Sequence, residues 1–408
     1  MSSFSIPLTG LESSSTALNT IANNLANMNT TAFKSQNVSF SDLFYQEIGS
    51  SGSGDPLEVG AGTQVAATST DFTEGSINST GSANDVAIDG NGFFVLQNGG
   101  STLYTRDGSF TLSNNGALTS QAGFQVMGYP SINGAVNTNA PLSPIQIPVG
   151  QAQQPVGTSN FSMTANLDAS AAVGTSVPAQ VTLYDSLGVS HAATIDFTKT
   201  GANTWNYNIS LPAGDATGGA NLTGSVTFDS NGNLILPASN VAGIGFTGLA
   251  DGASNMTLNW NLYGSNNQPT LTQFATASDV STTFQDGYAS GEYTGYTIDS
   301  NGLVSAHFSN GETSAVGQLA LANVTNLNGL QILGGNNYET TLASGPASVG
   351  VAGGGGLGTF QDEALEQSNV NISTQFSNLI VAQQAYEASS KAVTTYDTVS
   401  QDTINMIH

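Results

Sequence analysis

Apolar residues recur every seven positions at the two ends of this 408-residue chain, and between the ends they give way to short apolar runs broken by Asn-Gly and Asp-Gly. A seven-residue period lays side chains along one face of a helix, whereas Asn-Gly between apolar runs marks a turn between antiparallel strands. The chain is therefore predicted to carry helices at its termini and β-structure in its middle. Leu11, Leu18 and Leu25 form one column near the N-terminus, with Ile21 and Met28 as a second. They predict an amphipathic helix over 7–29, with Pro7 in its first turn and Asn23, Asn24, Asn27 and Asn29 where it runs out. At the other end Ile372, Leu379, Tyr386, Val393 and Ile407 share a column that Ser400 interrupts, and Ala382, Ser389 and Tyr396 lie beside it, predicting a helix over 373–407. The N-terminal stripe has too few heptads for a stable isolated coiled coil, so these stripes need partners. The core of one globular domain would serve. Their confinement to the extreme ends favours instead an assembly stem that orders when copies meet.

The turn signal recurs at Ile88-Asp89-Gly90-Asn91-Gly92-Phe93-Phe94, Leu112-Ser113-Asn114-Asn115-Gly116, Phe228-Asp229-Ser230-Asn231-Gly232, Ile298-Asp299-Ser300-Asn301-Gly302 and Phe308-Ser309-Asn310-Gly311. Each is expected to close a hairpin through a tight primed turn. Pro141, Pro144, Pro148 and Pro155 mark a boundary near 145–158, and a second is expected near 288–296. The fold class expected is mainly β with terminal α-helices, as two nested antiparallel β domains on an N/C-terminal helical coiled-coil stem. Residues 1–34 and 365–408 would form the helical assembly domain, 35–70 a connecting segment, 71–145 and 290–364 an inner β domain, and 146–289 an inserted outer β domain. The Gly-rich stretches 50–54 and 353–358 are expected to act as flexible joints.

Composition removes whole classes of partner. Four Lys+Arg against 28 Asp+Glu give a formal charge of -24, and Lys34, Arg106, Lys199 and Lys391 are scattered singly. Nucleic acid is not an expected partner, since phosphate binding needs clustered cations, and an anionic membrane would repel the chain. No run approaches the roughly 20 apolar residues that a membrane helix needs. The first thirty residues lack the basic start and apolar centre of a cleaved secretory signal. Without cysteine there are no disulfides and no thiolate chemistry.

Catalytic and cofactor motifs are equally scarce, and neither a catalytic residue, a cofactor nor a metal site is expected. Gly243-Ile244-Gly245-Phe246-Thr247-Gly248 fits a dinucleotide fingerprint in letters, but a strand-like segment and not a helix follows it. The loops opened by Asp229 and Asp299 lack the glycine and the bidentate glutamate of a calcium loop. His191, His307 and His408 have no neighbour in sequence with which to build a triad or zinc site. Asp362, Glu363 and Glu366 read as a solvated acidic approach to the C-terminal helix. Trp205 and Trp260 read as strand packing, with a glycan platform as the alternative.

Four ordered segments resemble the flagellar rod, hook and hook-associated axial family. The first is Pro7-Leu8-Thr9-Gly10-Leu11 with Asn23-Asn24-Leu25-Ala26-Asn27 and Thr31-Ala32-Phe33-Lys34, where Ala32 stands in place of a frequent glycine. The second is Asp89-Gly90-Asn91-Gly92-Phe93-Phe94 with Arg106-Asp107-Gly108-Ser109-Phe110. The third is Gly317-Gln318-Leu319-Ala320-Leu321-Ala322-Asn323 with Asn328-Gly329-Leu330, and Val324 follows it where an aromatic is common. The fourth is Glu366-Gln367-Ser368-Asn369-Val370, then Ala382-Gln383-Gln384-Ala385-Tyr386.

The size of the inserted segment favours the hook branch over the shorter rod subunits. The resemblance implies a non-enzymatic subunit that polymerises with itself into a curved, flexible tube transmitting torque from rod to filament. It also implies rod, cap and filament-junction proteins as partners, and extracellular delivery by the type III export apparatus. A distal rod or other axial subunit is the nearest alternative, and a secreted β-rich adhesin or glycan-binding protein the one from another class.

Overall fold

The computed structural model describes residues 5–50, 56–132 and 134–406, so the expected stripe position Ile407 and most of the expected joint 50–54 lie outside the described residues. The chain forms two compact units. One comprises Met1–Val149, Tyr296–Ala306 and Ser314–His408, and the other Gly150–Gly295 with His307–Thr313.

In the first unit, helix α1 runs over Ser5–Ala26 and helix α2 over Ile372–Met406. α1 ends earlier than its apolar period, and at its end the Asn23 carbonyl accepts both the Asn27 side chain at 2.9 Å and the Asn27 N–H at 3.2 Å. α2 starts where Asn371 caps it, accepting from the Thr374 N–H at 3.1 Å. The segment expected as a mere connector contains an antiparallel pair, Gln36–Asp42 against Thr63–Thr70. Strand pairing then stitches the two ends of the chain together: Ile77–Ser79 pairs with Ala364–Glu366, and Val86–Asp89 with Thr359–Asp362. The stretch 353–358, expected as a flexible joint, is instead a closed turn. Gly353 donates to the Gly358 carbonyl at 2.8 Å, and Gly358 to the Asn91 carbonyl at 2.7 Å.

Phe93–Asn98 lies at the centre of this unit, paired with Ser101–Thr105, Gln125–Ile132 and Leu321–Asn323. Its first four residues are buried on both faces. Phe93 meets Tyr338 and Phe72 on one side, and Phe94 packs edge-on to Phe110 at 4.9 Å and stacks on Phe360 at 5.7 Å on the other. Val324, in the position where an aromatic is frequent, is buried in the Phe93 cluster.

The second unit is a β-sandwich. One sheet orders Ser176–Tyr184, Ser190–Lys199, Thr204–Ser210, Thr223–Phe228 and Leu234–Leu236; the other is built on Ala216–Ala220, Val241–Leu249, Met256–Asn261 and Asn160–Asn166. Alternate residues point inward, as a two-residue period requires when two inner faces share a core: Ala193, Ile195 and Phe197; Trp205, Tyr207 and Ile209; Met256, Leu258 and Trp260. Tyr207 of one sheet meets Trp260 of the other edge-on at 5.2 Å. Both tryptophans are fully buried, so neither forms an exposed glycan platform. Gly243-Ile244-Gly245-Phe246-Thr247-Gly248 is strand, which removes its dinucleotide reading.

The hairpin turns differ from expectation. In Ser113–Ala117, Asp229–Asn233, Asp299–Leu303 and Phe308–Glu312 only the glycine has positive φ, while the asparagine before it does not. Each closes through the first residue's N–H to the carbonyl four residues on and the glycine N–H back to the first carbonyl. That is a longer loop ending in a glycine bulge, not a two-residue primed turn, which needs positive φ at both central residues. In two of them an aspartate holds the loop: Oδ1 of Asp229 accepts from the Asn231 and Asn233 N–H groups, and Oδ1 of Asp299 from those of Asn301 and Leu303. Ile88-Asp89-Gly90-Asn91-Gly92 is no hairpin at all, since Val86–Asp89 and Phe93–Asn98 pair with other strands.

Candidate assembly surface

Two of the four cations converge on one carboxylate. Glu366 Oε1 accepts from Lys34 Nζ at 2.6 Å and from the Gly75 N–H at 2.8 Å, and Oε2 accepts from Arg106 Nε at 2.8 Å. Lys34, Arg106 and Glu366 are all nearly inaccessible. Buried charges need a counter-charge and acceptors for their remaining donors, and here both cations share one carboxylate and turn further donors to backbone carbonyls. Lys34 also donates to the Thr73 carbonyl, and Arg106 to the carbonyls of Gly90, Gly92 and Ile88. Burial pushes the Lys34 ammonium below its ordinary pKa against the opposing pull of Glu366. Burial, assisted by the Glu366 charge, raises the nearby Tyr338 phenol to about 12. The expectation that Glu366 belongs to a solvated acidic approach is thus corrected, while Asp362 and Glu363 are exposed.

Other residues of the quoted motifs hold the same junction. Asn24, buried on α1, pairs with the backbone of Gln36 in both directions, donating to its carbonyl at 2.8 Å and accepting from its N–H at 2.9 Å. Asn369 accepts from the Ser35 N–H at 2.7 Å and donates to the Asp71 carbonyl, and its own N–H reaches the Phe33 carbonyl. Ser368 Oγ accepts from the Val370 N–H. Gly108 sits so close to the Val86 carbonyl that a Cβ would stand 1.7 Å from it. The exposed Asp89 precedes the Gly90–Gly92 corner that Arg106 fills. Ala32 holds φ +54°, and its N–H donates to the Glu366 carbonyl at 2.8 Å. Gln383 and Ala26 are exposed.

α1 and α2 lie antiparallel on a seam of small and polar residues. A Cβ added to Gly10 would meet Ser389 Oγ at 3.1 Å, and Asn24 Nδ2 lies 3.4 Å from Gln375 Oε1. The buried positions are Ser13 and Asn24 on one helix and Gln375 and Ala382 on the other. The apolar side chains are left outside this seam. Among the expected stripe residues Leu11, Leu18, Ile21, Leu25, Leu379 and Val393 are half-buried, and Met28, Ile372, Tyr386 and Tyr396 are exposed. The most open apolar side chains of α2 are ones that the heptad columns did not select: Val381, Val399, Ile404 and Met406, with Phe376 and Ile380 half open. The strand pair beside the helices adds Phe40 and Val65, with Phe44 and Tyr45 in the adjoining loop. Between α1, α2 and Gln36–Asp42 runs a groove of about 510 Å³, lined by Ala17, Ile21, Val38, Phe40, Val381 and Ala385 among others. Open apolar side chains beside a groove are a feature that protein contacts share with membrane and ligand sites.

Comparison with known proteins agrees with this geometry. Residues 8–34 match a family described as flagella basal body rod protein, 163–288 the flagellar basal body protein FlaE D2 domain, and 361–406 the flagellar basal body rod FlgEFG protein C-terminal region. The chain is 34% identical over 419 residues to the flagellar hook protein FlgE of Escherichia coli K12, covering 99% of both chains. It is 35% identical to that of Salmonella typhimurium LT2, covering 99% of this chain and 100% of the relative. The crystal structure of the Helicobacter pylori flagellar hook protein FlgE2 shares its fold with a TM-score of 0.54 at 16% identity, over 71% of this chain and 100% of the other.

Proposed function

The chain belongs to the flagellar hook protein family and is a structural subunit of the hook, not an enzyme, and on that premise we propose that its terminal helices are the surface through which copies pack. The observation carrying this reading is the inverted helix pair. Small and polar residues fill the intramolecular seam, while Phe376, Ile380, Val381, Val399 and Ile404 stay open to solvent. Burying a side chain of this size stabilises by about 1.5–3 kcal/mol, and a single chain forgoes that gain at each of these positions.

Helices from neighbouring copies then bury the stripes of Leu11, Leu18, Ile21, Leu25 and Met28 and of Ile372, Leu379, Tyr386, Val393 and Tyr396 in an inner tube, with the β units outside. The buried knot of Lys34, Arg106 and Glu366 fixes both helices to the first β unit, so load on the stem reaches that unit through ion pairs and strands. Rod, cap and filament-junction proteins are the proposed neighbours along the axis, and the type III export apparatus is the proposed route of delivery. Deleting residues 2–30 tests the reading: the product should be soluble, β-rich by circular dichroism and unable to polymerise. Normal tubes from that deletion would contradict it.

A further inference from the structure

We infer that Asp185, His191 and Asp251 form a binding site for one divalent transition-metal cation that clips together the two sheets of the second unit. The three side chains come from both halves of the sandwich. Asp185 follows the strand Ser176–Tyr184 and His191 lies in Ser190–Lys199, both of one sheet, whereas Asp251 follows Val241–Leu249 of the other. Their ligand atoms all lie within 4.8 Å of one another.

Each aspartate has Oδ1 held by backbone N–H groups and Oδ2 turned toward the imidazole. Asp185 Oδ1 accepts the Leu187 and Val189 N–H groups at 2.8 and 3.0 Å, and Asp251 Oδ1 accepts the Ala253 N–H at 3.0 Å. Their Oδ2 atoms face His191 Nε2 at 3.0 and 3.7 Å. Two ligands about 2.1 Å from a tetrahedral ion stand about 3.4 Å apart, a separation that these two distances bracket. The other imidazole nitrogen, Nδ1, lies 3.1 Å from Asp215 Oδ2. A carboxylate in that position fixes the tautomer of a metal-bound histidine, leaving Nε2 as the ligand.

Charge points the same way. Asp185 is fully buried and His191 nearly so. Three carboxylates, Asp185, Asp215 and Asp251, face the imidazole, and among the described residues no other cation is at hand. Lys34 and Arg106 are committed to Glu366, Lys199 donates to the Ala169 carbonyl and sits over the Trp205 ring, and Lys391 is exposed on α2. An imidazolium alone would leave the group with a formal charge of -2 (three carboxylates against one cation); a divalent ion with neutral imidazole leaves -1. Buried charge of this kind is compensated by pairing or by a metal. Imidazole with two carboxylates suits Zn²⁺ or Mn²⁺, and the partly open Asp251 side leaves room for water as a further ligand. Binding replaces the proton on Nε2, which passes to solvent, while Nδ1 keeps its own proton and donates it to Asp215 Oδ2.

The test is calorimetric titration of chelator-treated full-length protein with Zn²⁺ and with Mn²⁺, in two buffers of different ionisation enthalpy. One ion per chain should bind with release of a proton at pH 6. Asp251→Asn, at the most accessible ligand, should weaken binding at least tenfold with an unchanged circular dichroism spectrum, Asp215→Asn about tenfold, and His307→Gln not at all. Absence of saturable binding below 1 mM would overturn the inference and leave a proton as the only occupant. So would equal affinity in Asp251→Asn, or saturable Ca²⁺ binding without Zn²⁺ or Mn²⁺, in which the imidazole is no ligand.

Discussion

Arg106 Nε donates to Glu366 Oε2 at 2.8 Å across 260 residues of sequence, in an interior where both side chains are almost fully enclosed. Because Lys34 occupies the other oxygen, one carboxylate is shared between two cations drawn from the N-terminal segment and from the first β unit. Glu366→Gln keeps the shape and removes the charge, leaving two cations buried without a counter-ion. Loss of one partner from a buried ion pair costs about 3–5 kcal/mol, and guanidinium unfolding followed by circular dichroism should report a loss in that range for the first unit. A change under 1 kcal/mol would show that the knot contributes little.

Ala32 adopts φ +54° with its side chain fully buried. A left-handed backbone costs an L-residue about 1–2 kcal/mol and a β-branched one more. Ala32→Gly should therefore match or exceed the parent in stability, and Ala32→Val should lose about 2 kcal/mol or more. Denaturant midpoints in the opposite order would contradict the local conformation.

Asp286 ties the two ends of the second unit's chain segment. Its Oδ1 accepts from the N–H groups of Ser159 and Asn160, both at 2.8 Å, and its Oδ2 from Asn160 Nδ2 at 2.7 Å. Burial alone would raise this carboxyl, but the Asn160 and Ser159 donors outweigh it and hold it below the usual carboxylate range. A depressed folded-state pKa gives stability that is present above the unfolded value and lost as pH falls through the folded one. Asp286→Asn should then cost about 1 kcal/mol at pH 7, the low end for a charge-assisted bond because the group is exposed and screened. The gap to the parent should close below about pH 4, and a gap that does not depend on pH would contradict the assignment.

The sequence was informative wherever the deciding interaction is local. Leu11, Leu18 and Leu25 announce α1 because a helix brings residues seven apart onto one face, and the alternation at 191–199 and 205–209 is that of strands with one buried face, though it does not say that two sheets share the core. Two kinds of feature were hidden. Long-range polar pairs such as Lys34 with Glu366, or His191 with Asp185, Asp215 and Asp251, leave no periodic trace, although Lys34, Arg106 and Glu366 all fall inside the motifs that carry the resemblance. The helix seam was half legible: Ala382 and Ser389 of the second heptad column lie in it with Gln375 one heptad earlier, while Ile372 and Tyr386 of the apolar column stay exposed and Phe376 and Val399, which no column selected, are open too. The turn chemistry was half legible: Asn-Gly marked four hairpins, but all four took the longer bulged form, which Asp229 and Asp299 brace in two of them.

The central claim is that the open apolar face of α2 is where copies of the chain join. Ile380 and Val399 are both more than half exposed, so Ile380→Asp with Val399→Asp should leave the monomer folded. Electron microscopy of the purified full-length parent and of this double variant, each driven to assemble under the same conditions, tests the claim most directly. The account predicts tubes from the parent and only folded monomers from the variant; tubes of normal length and diameter from the variant would contradict it.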